Sequence, residues 1–368
     1  MDTHVVKRIK GKIVHKKWIL YGATGYTGRL IVAEAKKRGL NPIIAGRSKA
    51  ALQKMHDETG FEYRCFELNS RQEIATQLDD CYLVLNCAGP FSQTARPMMA
   101  ACLHSKSHYL DITGEIDIFE HGHLLSKSAE QAGVMICPGV GFDVVPTDCL
   151  AKALSEKLPD ADSLWLGFSS NSRFSPGTAK TSVEGLAGGC RVRRDGYIMD
   201  VPLAYKVRKI DYGNESLTST TIPWGDVSTA YYSTGIPNID VYIPLPDAKI
   251  KQLKRIDKVR WIFKWGWLVN FMKKQIDKKV KGPSDEQLKT QRTEVWGEVI
   301  NPAGNIVTGR ISTANGYQVT VEASLAIVEH LLSTEPAAGF KTPSLLMGAD
   351  FIEKLPSSTE FKWQTTQD

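Results

Sequence analysis

The sequence lacks a paired-cysteine motif, a long apolar run and a strong excess of one charge. Its 368 residues include seven cysteines, an odd number, and none forms a CxxC pair. Free cysteines in apolar runs usually act as small buried hydrophobes, so we expect a reducing compartment without disulfides or a zinc site. No apolar run reaches the ~18 residues of a spanning helix, and residues 1–17 are basic without the apolar core of a signal peptide. These absences predict a cytoplasmic protein and exclude a polytopic membrane protein.

The charge balance is nearly even. Lys and Arg number 46 against 40 Asp and Glu, giving a net charge of +6 that is spread along the chain. A spread of this kind does not predict a nucleic-acid partner. The hydrophobic fraction of 42% is ordinary for a globular protein, and the length suggests two domains at about 150 residues each.

Strand-like and helix-like segments alternate through the first part of the chain and then give way to more closely spaced strands. The alternation predicts a Rossmann-type, doubly wound parallel α/β sheet, and the later pattern predicts an α+β domain with a mixed or antiparallel sheet. We therefore divide the chain into a basic leader (1–17), a dinucleotide-binding domain (18–150), a substrate and dimerisation domain (151–345) with a basic aromatic insertion (247–281), and a carboxy-terminal segment (346–368).

Local patterns in the second predicted domain are less uniform. Residues 163–170, 227–234 and 239–243 are rich in β-branched and aromatic side chains, which favours strands. Residues 292–313 resemble a β-hairpin whose turn is NPAGN, and residues 318–333 alternate small and apolar side chains, as in a packed helix.

The strongest motif is a glycine-rich turn between the first predicted strand, WILYG, and the first predicted helix. Its spacing is GxxGxxG. The first glycine permits a tight turn, the second permits a close approach of a pyrophosphate, and the third lets the helix pack on the sheet. A helix start also favours anions through its N–H groups and dipole. The residues assigned to the cofactor are Gly22, Ala23, Thr24, Gly25, Tyr26, Thr27 and Gly28.

The second predicted strand ends in AGRS, where NAD-binding folds usually carry an acidic residue for the ribose hydroxyls. Arg47 and Ser48 occupy this place, and no carboxylate is there to repel a 2′-phosphate. Because an arginine binds phosphate through a forked pair of donors, we predict NADP(H). Asn69, at the end of the third strand, is assigned to the adenine side of the same site. The alternative for Arg47 is a solvated loop residue.

The fourth predicted strand leads into a loop at the switch point of the doubly wound sheet, where cofactors bind. Small residues there permit a close approach, and proline fixes the main chain. We assign this loop to the cofactor as well, namely Asn86, Cys87, Ala88, Gly89 and Pro90.

Taken together, GATGYTG, AGRS, NCAGPF, YLDITGE and PGVGFDVVPTD resemble the saccharopine dehydrogenase-like oxidoreductase family. Later segments, among them GTAKTSVEG, VWGEV and GFKTPSLLMGADF, are similar to the branch of trans-acting enoyl reductases in polyketide-lipid synthesis. The resemblance spans roughly residues 17–355. It implies a Rossmann domain, a second α+β domain, a substrate bound between them and a nicotinamide cofactor.

Reduction of a conjugated C=C needs a proton source as well as a hydride. Asp111, Glu115 and Asp143 follow the fifth and sixth predicted strands and are the candidate catalytic residues. Each also has a structural alternative: Asp111 in a turn, Glu115 as a helix cap and Asp143 in holding a glycine-rich loop. No metal site is predicted, because His121 and His123 lie on a helix without further ligands.

Residues 254–281 combine three tryptophans with many lysines. Such a segment suits peripheral contact with an anionic membrane or the mouth of an acyl-chain tunnel, and the alternative is a helix docked on its own domain. We predict an NADPH-dependent reductase of a C=C bond in a hydrophobic, lipid-like or polyketide-like substrate. The alternatives are reduction or oxidation of a C=O or C=N group, and a non-catalytic, membrane-associated NADP-binding protein. A homodimer is a further expectation.

Overall fold

The structure, a computed structural model, describes residues 6–9, 12–170, 183, 185, 188–265, 272, 274–275 and 290–366. The chain divides into two compact units. The first comprises residues 1–143 and 320–347, and the second comprises residues 144–319 and 348–368. This division differs from the predicted boundaries, because residues 320–347 return to the first unit. In the predicted basic leader, β1 (Val6–Ile9) and β2 (Lys12–His15) pair as an antiparallel hairpin.

A seven-stranded, fully parallel sheet forms the centre of the first unit. Its order is β17-β8-β7-β6-β3-β4-β5. The order reverses between β3 and β6, as in a doubly wound sheet. The strands are β3 (Trp18–Tyr21), β4 (Ile43–Gly46), β5 (Tyr63–Cys65), β6 (Leu83–Asn86), β7 (His108–Asp111), β8 (Met135–Cys137) and β17 (Gly339–Phe340).

Helices connect these strands along the chain, and the inner strands of the sheet are largely apolar. All residues of β3, β4, β6 and β7 are buried, as expected for parallel strands covered on both faces. The helical segment over residues 116–132 is interrupted at Leu125. The helices are α1 (Tyr26–Lys37), α2 (Lys49–Thr59), α3 (Arg71–Leu78), α4 (Phe91–Ser105), α5 (Ile116–Leu124), α6 (Ser126–Ala132), α10 (Gly316–Ser333) and α11 (Pro343–Met347).

Long-range polar contacts attach residues 320–347 to the first unit. The two residues of β17 pair in parallel with Met135 and Ile136. Earlier along the same segment, the Arg38 guanidinium forms ion pairs with Glu322 and Glu329. These contacts account for the seventh strand, which has no local signal because it is only two residues long.

The second unit contains a nine-stranded mixed sheet, so the predicted fold class is confirmed. Its order is β11-β10-β14-β9-β15-β16-β18, with β13 also pairing β14 and β12 pairing β13. Among the strand pairs that the structure describes in this sheet, only β14–β9 is parallel. The strands are β9 (Ser163–Ser170), β10 (Cys190–Arg194), β11 (Tyr197–Val201), β12 (Val207–Asp211), β13 (Ser216–Thr221), β14 (Asn238–Pro244), β15 (Arg292–Ile300), β16 (Ile306–Ala314) and β18 (Lys362–Thr366).

The second unit also contains α7 (Val145–Lys157), α8 (Asp226–Thr234) and α9 (Asp247–Asp257). The strand predicted over residues 227–234 is wrong, because α8 occupies that segment. All residues from Asp226 to Ala230 are buried, as is Ser233, so packing of the helix against its surroundings outweighs the β propensity of the valine, threonines and tyrosines. Gly235 ends the helix at φ +78°, a conformation that glycine adopts at little cost.

The basic aromatic insertion begins with α9 and continues into a 3-10 helix, Arg260–Lys264. Most of the remaining insertion lies outside the described residues, as does most of GTAKTSVEG. Among the helices that the structure describes, none is long and apolar enough to cross a membrane. Within the described ranges, no group of His, Cys, Asp and Glu side chains is placed to hold a metal ion.

Candidate functional site

The glycine turn fits tightly against the loop that follows β6. Gly22 has φ +84°, and a Cβ there would lie 2.7–2.9 Å from main-chain atoms of Cys87 and Ala88. A Cβ on Gly28 would overlap the carbonyl oxygen of Gly22 and lie 2.9 Å from Ala23. The turn therefore has room for glycine only at these two positions. Close packing of main chain on main chain therefore holds the turn against the loop after β6.

Helix α1 begins directly at this turn. The Gly25 N–H donates to the Gly22 carbonyl at 3.0 Å, and the Arg29 Nε donates to the Thr24 carbonyl at 2.9 Å. No side chain caps the helix, and its first turn contains no acidic residue. The positive end of the helix dipole is thus not offset by a carboxylate, which favours an anion such as a pyrophosphate.

Arg47 lies one residue beyond β4 and is exposed. Across the part of the chain that the structure describes, its guanidinium makes no hydrogen bond or ion pair, which leaves its donors available to a ligand. The turn is close by, since a Cβ on Gly46 would lie 4.0 Å from the Thr24 Oγ1. Burial of Tyr21 raises its pKa to about 12, although the positive charge of Arg47 acts to lower it.

Ser48 and Asn69 follow β4 and β5, so they lie at the same carboxyl ends of the strands as Arg47. Ser48 caps α2 by accepting a hydrogen bond from the Ala51 N–H at 3.4 Å. Asn69 is exposed in the loop after β5, where its amide donates to the Glu67 carboxylate at 2.7 Å. The parallel sheet thus brings both predicted residues to the edge that carries Arg47.

Hydrogen bonds from polar side chains hold the loop after β6. The Asn86 Oδ1 accepts from the Ala88 N–H at 3.1 Å, and the Thr94 Oγ1 donates to the Ala88 carbonyl at 2.5 Å. Burial raises the pKa of the Cys87 thiol above its usual range, so this cysteine is not an activated nucleophile. Gly89 and Pro90, joined by a cis peptide bond, lead into α4. The loop presents main chain to the turn at Gly22.

Asp111 ends β7 and is fully buried. Its carboxylate accepts hydrogen bonds from the Tyr109 hydroxyl at 2.7 Å, the Thr113 N–H at 3.0 Å and the Gly139 N–H at 2.9 Å. Burial outweighs these bonds and raises its pKa to about 6. These contacts join the loops after β7 and β8, which favours a positioning role over direct contact with substrate.

Glu115 lies in the loop after β7, directly before α5, and contacts the start of α4. Its Oε1 accepts a hydrogen bond from the Phe91 N–H at 3.0 Å, at the start of α4. The same residue is the N-cap position of α5. Glu115 therefore ties the loop after β7 to the start of α4, and the predicted alternative, a side-chain cap on α5, is not the contact that it makes.

Asp143 follows β8 and lies against the main chain of Gly114, where an added Cβ would be 3.0 Å from Oδ2. The side chain is half-buried. No hydrogen bond to its carboxylate is found within the described ranges, and loss of hydration raises its pKa to about 7. A carboxyl group with this pKa exchanges protons readily near neutral pH. Of the three candidate catalytic residues, Asp143 is best suited to proton transfer.

Two contributors were not assigned roles from the sequence. Tyr109 donates to Asp111 and lies 3.4 Å from the Asn86 amide, so it links the ends of β6 and β7. Thr320, at the boundary of the second segment of the first unit, accepts from the Phe142 N–H at 2.9 Å. Alternation of β7 hints at an inward tyrosine, but the contact at Thr320 joins residues 178 apart and has no local sequence signal.

These features define a Rossmann-type dinucleotide-binding unit. Residues 18–137 match the family model for the saccharopine dehydrogenase NADP binding domain. This segment is therefore similar to that domain. The match confirms the predicted resemblance over residues 18–137 and the NADP(H) assignment made from the sequence.

Relatives that match the chain support the same grouping. A trans-acting enoyl reductase of Mycobacterium ulcerans is 31% identical over 35% of this chain and 33% of its own length. A human saccharopine dehydrogenase-like oxidoreductase is 28% identical over 35% of each chain. The chain thus matches about a third of the length of these relatives. An apo saccharopine dehydrogenase (L-Glu forming) from Saccharomyces cerevisiae has the same fold, with 10% identity, a TM-score of 0.63 and coverage of 95% of this chain and 100% of that chain.

Proposed function

We propose that this protein is an NADPH-dependent oxidoreductase that reduces the C=C bond of a hydrophobic enoyl substrate. The observation that carries the proposal is the exposed Arg47 beside the glycine turn, at the position where NAD-binding folds place a carboxylate. The donors of Arg47 have the forked geometry that a 2′-phosphate accepts. The matched NADP binding domain supports the same cofactor.

The residues around the turn fit a dinucleotide. Gly22 and Gly28 let the main chain pack closely where any side chain would collide. The start of α1 offers N–H groups and a positive dipole to the pyrophosphate. The buried Asn86 and the half-buried Thr94 keep the neighbouring loop in place. When bound, the nicotinamide supplies a hydride.

Reduction of a conjugated C=C adds a hydride at the β-carbon and a proton at the α-carbon. We assign the proton to the Asp143 carboxyl, whose pKa of about 7 keeps a substantial fraction protonated at neutral pH. The resulting carboxylate regains its proton from water. The enoyl group itself is suggested by the name of the Mycobacterium ulcerans relative.

The test supplies the full chain with NADPH deuterated at the transferred position and with a panel of acyl compounds. The panel contains long-chain enoyl thioesters, ketones and imines, and products are analysed by mass spectrometry. We expect one deuterium at the β-carbon of the enoyl product and none in the ketones or imines. Deuterium in an alcohol or an amine would instead favour the alternative reaction of the wider family. Tight NADPH binding without any labelled product would contradict the assignment as a reductase.

Asp143→Asn tests the proton donor, with Asp79→Asn as its control because Asp79 is exposed at the end of α3. We expect Asp143→Asn to lower kcat by about 100-fold or more, as for loss of a general acid, while the Kd for NADPH stays unchanged. Equal activity of the two variants would remove Asp143 from the mechanism.

A further inference from the structure

One surface of the second unit combines exposed tryptophans with unpaired basic side chains. Trp261 is 56% exposed and Trp265 is 48% exposed, and Val259 beside them is 45% exposed. The two indole rings contact each other edge to face, with centroids 5.5 Å apart. Large apolar side chains are rarely left this exposed in a cluster unless another surface covers them.

The preceding helix supplies the charge. Lys251, Lys254, Arg255 and Lys258 are all exposed, and their spacing of three, four and seven residues places them along one face of α9. Leu253 and Ile256, on the opposite face, are partly buried, and the buried Ile250 lies at the border between the two faces. In the ranges that the structure describes, none of these four cations forms an ion pair. They extend over about 10 Å at the helical rise.

The helix dipole alone does not account for this arrangement. Lys254 and Arg255 lie in the last turn, where cations complement the helix carboxyl end. Lys251 lies a turn earlier, beyond the range of that effect. Residues 247–265 contain seven Lys or Arg against two Asp, so the excess of positive charge continues into the tryptophan cluster.

Polar contacts of the residues next to the tryptophans attach this segment to the second unit. The Arg260 Nη1 donates to the Val201 carbonyl at 3.4 Å and contacts the Asp257 Oδ1 at 3.3 Å. The same Asp257 Oδ1 accepts from the Leu203 N–H at 2.9 Å. The end of α9 and the start of the 3-10 helix are thereby fixed beside the end of β11. The exposed indoles are part of an ordered surface.

We propose that the surface formed by the basic face of α9 together with Val259, Trp261 and Trp265 binds the surface of an anionic lipid bilayer. Indole rings partition to the headgroup region of a membrane, and lysines next to them are attracted by anionic lipids. The combination matches neither a packed core, which would bury the indoles, nor a purely solvated helix, which would lack them. The protein attaches peripherally, with the remainder of the second unit outside the bilayer.

The experiment measures co-sedimentation of the full chain with vesicles of two compositions. One contains equal parts of phosphatidylcholine and phosphatidylglycerol, and the other contains phosphatidylcholine only. We expect binding to the anionic vesicles at physiological salt, strong weakening near molar salt and little binding to the neutral vesicles. Absence of binding to both compositions would overturn the proposal, and so would equal binding to both.

Two sets of variants locate the contact. Lys251→Gln, Lys254→Gln and Lys258→Gln in one chain remove three charges, and each removal weakens binding about fivefold, for about 100-fold in total. The charge-matched control changes three exposed lysines elsewhere, namely Lys54→Gln, Lys127→Gln and Lys209→Gln. Equal weakening by both sets would show a general charge effect and overturn the assignment of this surface.

Trp261→Ala with Trp265→Ala is expected to weaken vesicle binding by about tenfold or more, since each removes an interfacial side chain. The control pair is Leu124→Ala with Leu345→Ala, which are exposed apolar residues of the first unit. The far-UV circular dichroism spectrum and the thermal unfolding curve, measured on every variant, report whether both units are folded. If the tryptophan variant binds vesicles normally but loses self-association in sedimentation equilibrium, the surface is an interface between copies of the chain and the proposal fails.

Discussion

Replacement of Arg47 by alanine is the sharpest perturbation of the cofactor site. The side chain is exposed and makes no hydrogen bond or ion pair among the described residues, so its removal changes stability by no more than about 0.5 kcal/mol. Its proposed contact with a 2′-phosphate is charge-assisted. Hydrogen bonds to charged groups contribute about 1.5–3 kcal/mol, which corresponds to a Kd for NADPH raised about 10- to 150-fold.

NADH has no 2′-phosphate, so Arg47→Ala leaves its Kd within about twofold of the wild-type value, as for an uninvolved surface residue. Nicotinamide fluorescence measures both dissociation constants on the same protein sample. Lys54→Ala is the control, because it removes one exposed positive charge from α2 in the same unit. Equal weakening of NADPH and NADH by Arg47→Ala would refute the 2′-phosphate contact, and so would equal effects of Arg47→Ala and Lys54→Ala on NADPH.

Three further predictions concern the interior of the first unit. Gly28→Ala places a Cβ against the Gly22 carbonyl, so it lowers the melting temperature and abolishes NADPH binding in a thermal-shift assay; an unchanged shift with NADPH would contradict the tight turn. Because the Asp143 pKa is raised to about 7, the folded state retains a proton that the unfolded chain releases, and stability falls as pH rises from about 4 to 7. Asp143→Asn flattens that slope in urea unfolding, and a slope unchanged from wild type would contradict the assignment. Tyr109→Phe removes the 2.7 Å hydrogen bond to Asp111 and costs about 1.5–3 kcal/mol of unfolding free energy; an unchanged urea midpoint would contradict that network.

Much of the first unit was predictable because its signals are local. Buried strands of four apolar residues, glycines at a turn and a strand–helix alternation each act over fewer than fifteen residues. The doubly wound parallel arrangement followed from that alternation. The glycine turn and Arg47 were found in the same way, since the chemistry depends on residues adjacent in sequence.

Other features depend on distant contacts that no local pattern encodes. The return of residues 320–347 to the first unit rests on the pairing of β17 with β8 and on the ion pairs of Arg38 with Glu322 and Glu329. In α8, residues with high β propensity form a helix because tertiary burial of its first five residues outweighs that propensity. The roles of Glu115 and Asp111 were left open by the sequence, since a carboxylate that caps a helix and one that transfers a proton look alike there.

The most direct test of the central claim is a crystal structure of the full chain with NADP(H). The account predicts the pyrophosphate against the main chain of residues 22–28 at the start of α1, and the 2′-phosphate in contact with the Arg47 guanidinium. A dinucleotide bound elsewhere on the chain would contradict the account. An empty glycine turn in crystals grown at saturating cofactor would contradict it equally.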